Sequence, residues 1–337
     1  MNAIIDELIT VRDWLRYAVS RFTEFDLFFG HGCDNAFDEA AWLILSTLHL
    51  PHDRLDPFLD ARLARNERLG LHHLIEQRTA KRIPVAYLTH EAWLGEFRFY
   101  VDERVIVPRS YFAEILAEGF SPWIEDGGQV KDALDLCTGS ACLAILMAHA
   151  FPDARIDAAD LSADALNVAR KNVADYDLAH RVRLAQSDLF SGLSGCRYDL
   201  IISNPPYVTA DAMRNLPQEY RHEPLLALAA GEDGLDVVRR ILIDARAYLK
   251  PHGLLAIEVG HNRDIVDQAF PHLPLTWIDS ESAEGKIFML TREQLPDGMT
   301  SFPPPPFPRN GVTEVQPLLR LPNDEPSPPW EGSSEAT

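Results

Sequence analysis

The sequence predicts an α/β protein: an open, mostly parallel sheet covered by helices, with a small helical domain at its N-terminal side. Two observations carry this expectation. From Val130 onward, short apolar runs alternate with helix-length amphipathic runs, the pattern of a doubly wound sheet. Residues 1–81 instead show helical spacing throughout. The length of 337 residues allows two domains. With 46% hydrophobic and 24% charged residues, there is apolar material for a large core.

Taken in order, Ile4, Ile5, Leu8, Val11 and Leu15 fall on one helical stripe. Asp38 stands where it would cap a helix carrying Ala41, Leu45 and Leu48, which Pro51 ends. Leu59 to Arg78 reads as a further helix with a polar face. No glycine-rich loop or metal cluster marks this stretch, so residues 1–90 are expected to be a helical domain for substrate docking. Phe97, Phe99 and Val101 then alternate, as do Val105 and Val107 after Asp102-Glu103, which predicts a hairpin linker over 91–110.

The sheet domain is expected over 111–296. Its strands are Ala133–Leu136, Arg155–Ala159, Val182–Ala185, Leu200–Ser203, Leu254–Val259 and Lys286–Leu290. Helices are expected at Ala141–Ala150, Ala163–Val173 and Leu235–Leu249. Beyond, residues 297–337 form a Pro-rich tail with a four-proline run from Pro303 to Pro306. So little apolar material cannot build a core, and disorder is expected from about residue 298. A short docking role for the tail is the alternative.

Composition narrows the function. Net charge is −20, from 31 basic and 51 acidic side chains. Such a surface repels nucleic acid, whose binding needs Lys and Arg against phosphate, and attracts a basic partner. Acidity that only aids solubility fits equally well. Lys81-Arg82 and Arg239-Arg240 read as solvated helix faces. Cys33, Cys137, Cys142 and Cys196 match no zinc spacing and are expected reduced and mostly buried, with no metal site. No apolar run approaches the roughly eighteen residues of a membrane span. The N-terminus lacks the layout of a secretory signal, so a cytoplasmic location is expected.

A nucleotide pocket is expected where strands end. Asp135-Leu136-Cys137-Thr138-Gly139-Ser140 leads from a strand through a glycine-containing turn into a helix, a geometry that brings backbone close to a ligand. Asp160, followed by Leu161, ends the next strand where an acidic group can bind a ribose diol. Asp188, followed by Leu189, ends the third and suits an adenine amino group. Taken singly, Asp160 also fits a helix cap and Asp188 a turn residue. One clear glycine and three carboxylates suit a cofactor with a ribose and positive charge but no phosphate, namely S-adenosylmethionine.

The fourth strand runs into Asn204-Pro205-Pro206-Tyr207. Each proline fixes its own φ and extends the residue before it, so this is a stiff turn. The Asn204 side-chain oxygen and the Pro205 carbonyl can accept both hydrogen bonds of a planar NH2 group. Tyr207 can stack on that group. The chemistry is then mostly orientation and water exclusion, and no strong general base is evident.

These segments resemble the N5-glutamine methyltransferases over about residues 30–295. The resemblance implies a Rossmann-like, class I methyltransferase domain behind an N-terminal helical bundle, and methylation of a glutamine side-chain amide in a protein. Asn-Pro-Pro-Tyr alone also resembles adenine amino methyltransferases acting on nucleic acid. Glu223-Pro224 with Ala227-Leu228, and Gly231-Glu232-Asp233-Gly234-Leu235, are similar to the glutamine family's pattern. Val107-Pro108-Arg109-Ser110-Tyr111-Phe112 lacks the acidic run usual in the release-factor branch. Ala92-Trp93, Phe99 to Arg104, and Thr291 to Leu295 resemble the branch acting on large-subunit ribosomal protein L-three, which implies that basic protein as partner. Release factors are the alternative substrate. Ala141 stands where the family usually has a second glycine.

Overall fold

The computed structural model describes residues 3–279 and 284–297. The tail expected to be disordered from about residue 298 lies outside the described residues. The chain opens with α1 (Ala3–Glu7), α2 (Val11–Glu24), α3 (Ala36–Thr47), α4 (Arg65–Lys81) and α5 (Val85–Thr89). The first expected helix is therefore two. Thr10 breaks it by capping α2, its side chain accepting from Asp13 N while the Asp13 carboxylate accepts from the Thr10 N–H. Asn35, not Asp38, caps α3, since the Asp38 N–H donates to the Asn35 side chain.

The hairpin also lies earlier than its pattern suggested. It joins β1 (Ala92–Leu94) to β2 (Phe97–Phe99), and Gly95 turns it at φ +59°. The turn at Asp102-Glu103 is no strand connection, because Asp102 is occupied by Tyr100 and Arg104. Val101, Val105 and Val107 are all buried, so their alternation reflects packing of an extended segment. The Val107 N–H bonds the Glu223 carboxylate rather than a neighbouring strand.

The sheet elements follow: α6 (Phe112–Ala117), β3 (Asp132–Leu136), α7 (Cys142–Ala150), β4 (Arg155–Asp160), α8 (Ala163–Asp175), β5 (Val182–Gln186) and β6 (Tyr198–Ser203). Then come α9 (Ala210–Asn215), α10 (Asp236–Tyr248), β7 (Leu249–Glu258), α11 (Arg263–Ala269), β8 (Thr276–Ile278) and β9 (Ile287–Thr291). The strand order is β5-β4-β3-β6-β7-β9-β8. Its first five strands are parallel, and β9 and β8 join antiparallel at the edge. Alternation along β6 splits the core, with Leu200 and Ile202 in one apolar cluster and Ile201 in the other, and a register shift between Tyr198 and Leu200 puts Tyr198 with Ile201. The N-terminal helices contribute Trp14, Phe22 and Leu43 to the first of these clusters.

The two basic pairs are solvated only in part: Lys81 and Arg240 are exposed, Arg82 and Arg239 half-buried. Arg82 bonds Glu219 and two backbone carbonyls, Arg239 pairs with Asp233, and Arg240 with Asp188. The four cysteines are unpaired and only partly buried. Among the described residues no helix is long and apolar enough to cross a membrane, and no cluster of metal-ligating side chains occurs.

Candidate active site

Strand order reverses between β3 and β6, where loops leaving the carboxyl ends part and open a crevice. Leu136 lies opposite Ser203 in the register, so the chain leaves the sheet at Cys137 and Asn204 side by side. Ser203 Oγ donates to the Leu136 carbonyl at 2.6 Å and ties the two ends together.

The turn after β3 uses backbone that few residues adopt. Cys137, Gly139 and Ala141 have φ of +65°, +56° and +63°, a conformation that costs a residue with a Cβ roughly 1–2 kcal/mol. Asp135 holds it from beneath. Its buried carboxylate accepts from Thr138 Oγ1 at 2.5 Å and Ala144 N at 3.0 Å. Burial pushes this carboxyl up to about 7, against those two hydrogen bonds. Thr138 N donates to the Ala159 carbonyl at 2.9 Å, and Gly139 N to Asp160 Oδ2 at 2.8 Å. A Cβ on Gly139 would meet nothing within 4 Å, so the turn faces open space.

Asp160 is half-buried and also accepts from Ser162 N at 2.9 Å. Burial raises its pKa against these backbone bonds. Ser162, not Asp160, caps α8, which leaves Asp160 facing the turn. Leu161 is exposed. Asp188 is exposed on the next loop and pairs with Arg240 at 2.8 Å. Cys137, Gly139, Asp160, Leu161 and Asp188 thus retain accessible surface at the carboxyl ends of β3, β4 and β5. Asp135, Leu136, Thr138, Ser140 and Leu189 are buried and shape that edge from below.

The turn after β6 is held by distant residues. Asn204, Pro206 and Tyr207 are half-buried and Pro205 is buried. Asn262 Nδ2 donates to the Tyr207 carbonyl at 2.6 Å. The Tyr207 ring rests on Gly260, where a Cβ would lie 2.8 Å from Tyr207 Cε2. Burial raises the Tyr207 pKa, so its hydroxyl stays neutral. A pocket of about 310 Å³ opens here, lined among others by Asn204, Pro205, Tyr207, Arg109, Tyr111 and Tyr220. Arg109 reaches both Glu223 oxygens, at 2.5 and 2.6 Å. Burial opposes the Arg109 charge, but the Glu223 hydrogen bonds and charge outweigh it. A larger hollow of about 740 Å³, lined by Trp42, Pro51 and Trp93, contains none of the expected site residues.

Residues 114–219, which include both turns, match the Methyltransferase small domain family. A relative from Neisseria meningitidis, named ribosomal protein uL3 glutamine methyltransferase, is 58% identical over 87% of this chain and 97% of its own. Relatives of the same name from Bordetella pertussis and Bradyrhizobium diazoefficiens are 56% and 50% identical. They cover 86% of this chain in both cases, and 97% and 92% of their own lengths. The chain belongs to this glutamine methyltransferase family. As a member it is an S-adenosylmethionine-dependent methyltransferase.

The residues present fit that cofactor. The open side of Gly139 offers room. The acceptors along the edge are carboxylates, and the nearby Arg240 is already engaged by Asp188. Such a set of acceptors favours ribose hydroxyls and a cation over phosphate.

Sequence reasoning missed several residues of this glutamine methyltransferase site: Arg109, Tyr111 and Tyr220 on the pocket wall, Gly260 beneath Tyr207, and Glu258 behind Asn204. Glu258 had a signal. It is the acidic last residue of a strand, as Asp160 is of β4. Arg109 and Tyr111 come from the segment before α6 and Tyr220 from a short 3-10 turn more than a hundred residues on, and no local pattern joins them.

Proposed function

We propose that this chain methylates the N5 amide nitrogen of a glutamine in ribosomal protein uL3. One observation carries the reading: Asn204 and Pro205 line a pocket immediately beside the Gly139 turn. An amide nitrogen is a poor nucleophile because its lone pair is delocalised. In this reading Asn204 Oδ1 and the Pro205 carbonyl accept its two N–H bonds and aim it. Tyr207 stacks on the planar amide and selects flat groups. When bound, S-adenosylmethionine supplies a methyl group on a cationic sulfonium. Asp160 would hold its ribose hydroxyls, Asp188 its adenine amino group, and the Cys137–Ser140 backbone its remainder. The substrate nitrogen would form one N–C bond as the sulfonium S–CH3 bond breaks, leaving neutral S-adenosylhomocysteine, and the displaced N–H proton would pass to water.

The names of the relatives support uL3 as substrate, and the net charge of −20 suits a basic ribosomal protein. Residues 1–90 are the docking region in this reading, residues 91–110 the linker, and 111–296 the methyl-transferring part. Direct binding to nucleic acid plays no part in it.

The test incubates the enzyme with labelled cofactor and unmethylated uL3 beside release factors and RNA, read by mass spectrometry. The expected result is one labelled glutamine in uL3. Label confined to release factors would move the substrate, and label in RNA would end the reading.

A further inference from the structure

The register of the sheet brings a second carboxylate to the catalytic turn. Ser203 pairs with Ile257 across β6 and β7, so Asn204 and Glu258 are the next pair outward. Glu258 is fully buried. Its Oε2 accepts from Ser110 Oγ at 2.5 Å and Tyr111 N at 3.1 Å. Its Oε1 reaches no partner at full hydrogen-bonding geometry. The Asn204 side chain is near enough for its hydrogen bonding to act on the Glu258 carboxyl. A buried carboxylate oxygen without a full hydrogen bond is costly, and calls for a functional reason.

We propose that Glu258 is a positioning residue for methyl transfer: its Oε1 takes the Asn204 Nδ2–H and thereby turns Asn204 Oδ1 toward the substrate amide. This rests on the role given to Asn204 under Proposed function. An asparagine amide has two flips of nearly equal shape, and only one offers oxygen to an incoming NH2 group. A carboxylate only accepts, so it selects the flip with nitrogen inward. A protonated carboxyl can donate, and then holds the Asn204 oxygen inward, where the substrate cannot use it.

The choice of flip therefore follows protonation. Burial pushes the Glu258 carboxyl up to about 7, against hydrogen bonds from Ser110 and Tyr111, the Arg109 charge and the Asn204 hydrogen bond. The other titratable groups that act with it are Tyr111 before α6, Tyr207 after β6 and Cys142 at the start of α7. Burial raises the pKa of all three. They stay neutral near pH 7, and Arg109 alone among these neighbours is charged. Activity should rise with pH as Glu258 ionises.

The test compares wild type, Glu258→Gln and Glu258→Asp across the acidic and neutral range. It measures kcat and KM on uL3, melting temperature, and S-adenosylhomocysteine binding by calorimetry. Wild type should show an acidic limb in kcat with a midpoint near 7. Glu258→Gln should lose that limb and fall about 100-fold in kcat, the scale of a misaligned reacting group, with melting and cofactor-product binding unchanged. Glu258→Asp should restore the limb and part of kcat. In parallel, NMR follows the Asn204 side-chain NH2 signals, which needs no substrate. They should shift through the same midpoint in wild type and stay flat in Glu258→Gln. Flat signals in wild type, an unaltered limb in Glu258→Gln, or parallel loss of melting temperature and binding in both variants would overturn the assignment. Shifting NH2 signals in an enzyme inactive on uL3 would instead overturn the substrate reading.

Discussion

The two turns that flank the crevice are held in opposite ways. The turn after β3 is braced mostly over short spans, by Thr138 and Ala144 on Asp135, by Gly139 on Asp160 21 residues away, and by Asn172 on the Ser140 carbonyl 32 residues away. The turn after β6 is braced from far along the chain. Asn262 holds the Tyr207 carbonyl from 55 residues away. The following stretch is pinned by Glu223 to Arg109, 114 residues back, and by Glu219 to Arg78, 141 residues back. The first turn thus depends mainly on the sheet and its adjoining helices, and the second on segments throughout the molecule, including the N-terminal helices.

The largest expected effect separates the two turns by function. Asn204→Ala should lower kcat about 1000-fold, the scale of removing an oriented polar partner of the reacting group, while S-adenosylhomocysteine binding is kept. Asp160→Ala should do the converse, weakening that binding about 10- to 100-fold through lost charge-assisted hydrogen bonds. Calorimetry beside a methyl-transfer assay checks both. If both variants lost both properties, the division of labour would be wrong.

Next comes the long-range bracing. Arg78 is fully buried and bonds Glu39 at 2.6 Å and Glu219 at 3.4 Å. Arg78→Met leaves two buried carboxylates without that cation and should cost about 3–5 kcal/mol in urea unfolding. Burial already raises the Glu39 pKa, with Arg78 opposing it. Without Arg78 the folded variant binds protons more readily than its unfolded chain, so the loss should shrink as pH falls. A variant of wild-type stability would show that the N-terminal helices do not support the catalytic turn.

A smaller effect is expected under Tyr207. Gly260→Ala introduces a Cβ 2.8 Å from Tyr207 Cε2, at φ +55°. The ring must shift and the left-handed backbone adds roughly 1–2 kcal/mol of strain, so kcat should fall about 10-fold, a fraction of the penalty for a fully misplaced group, and the melting temperature should drop by a few degrees. The smallest effect is on the locally braced turn and runs the other way. Ala141→Gly relieves a left-handed backbone and should stabilise the protein by about 1 kcal/mol, seen as a higher melting temperature with activity retained.

The elements that were legible share a cause. β3, β4 and β6 are short apolar runs bounded by turn residues, so their existence follows from pattern alone. The stiffness of Asn204-Pro205-Pro206-Tyr207 follows from proline geometry. The left-handed φ of Ala141 gives the physical sense of a glycine at that place. The hairpin was misplaced because buried alternation over Val101–Val107 looks the same whether a strand or a protein core covers it. Three-residue β8 and seven-residue α11 are too short to carry a period. Arg239 looked solvated because its partners Asp233 and Asp236 become significant only once α10 is placed.

By itself the sequence determined the alternation of the main strands and helices from β3 to β7 and the stiffness of the Asn204–Tyr207 turn, since these depend on backbone preference and on neighbours within one turn or strand. Only the tertiary structure decided that Glu258 lies behind Asn204, that Gly260 supports Tyr207, and that Arg78 joins Glu39 to Glu219. Those pairings come from strand register and packing between segments distant along the chain, and a linear pattern holds no record of which distant side chain fills a given space.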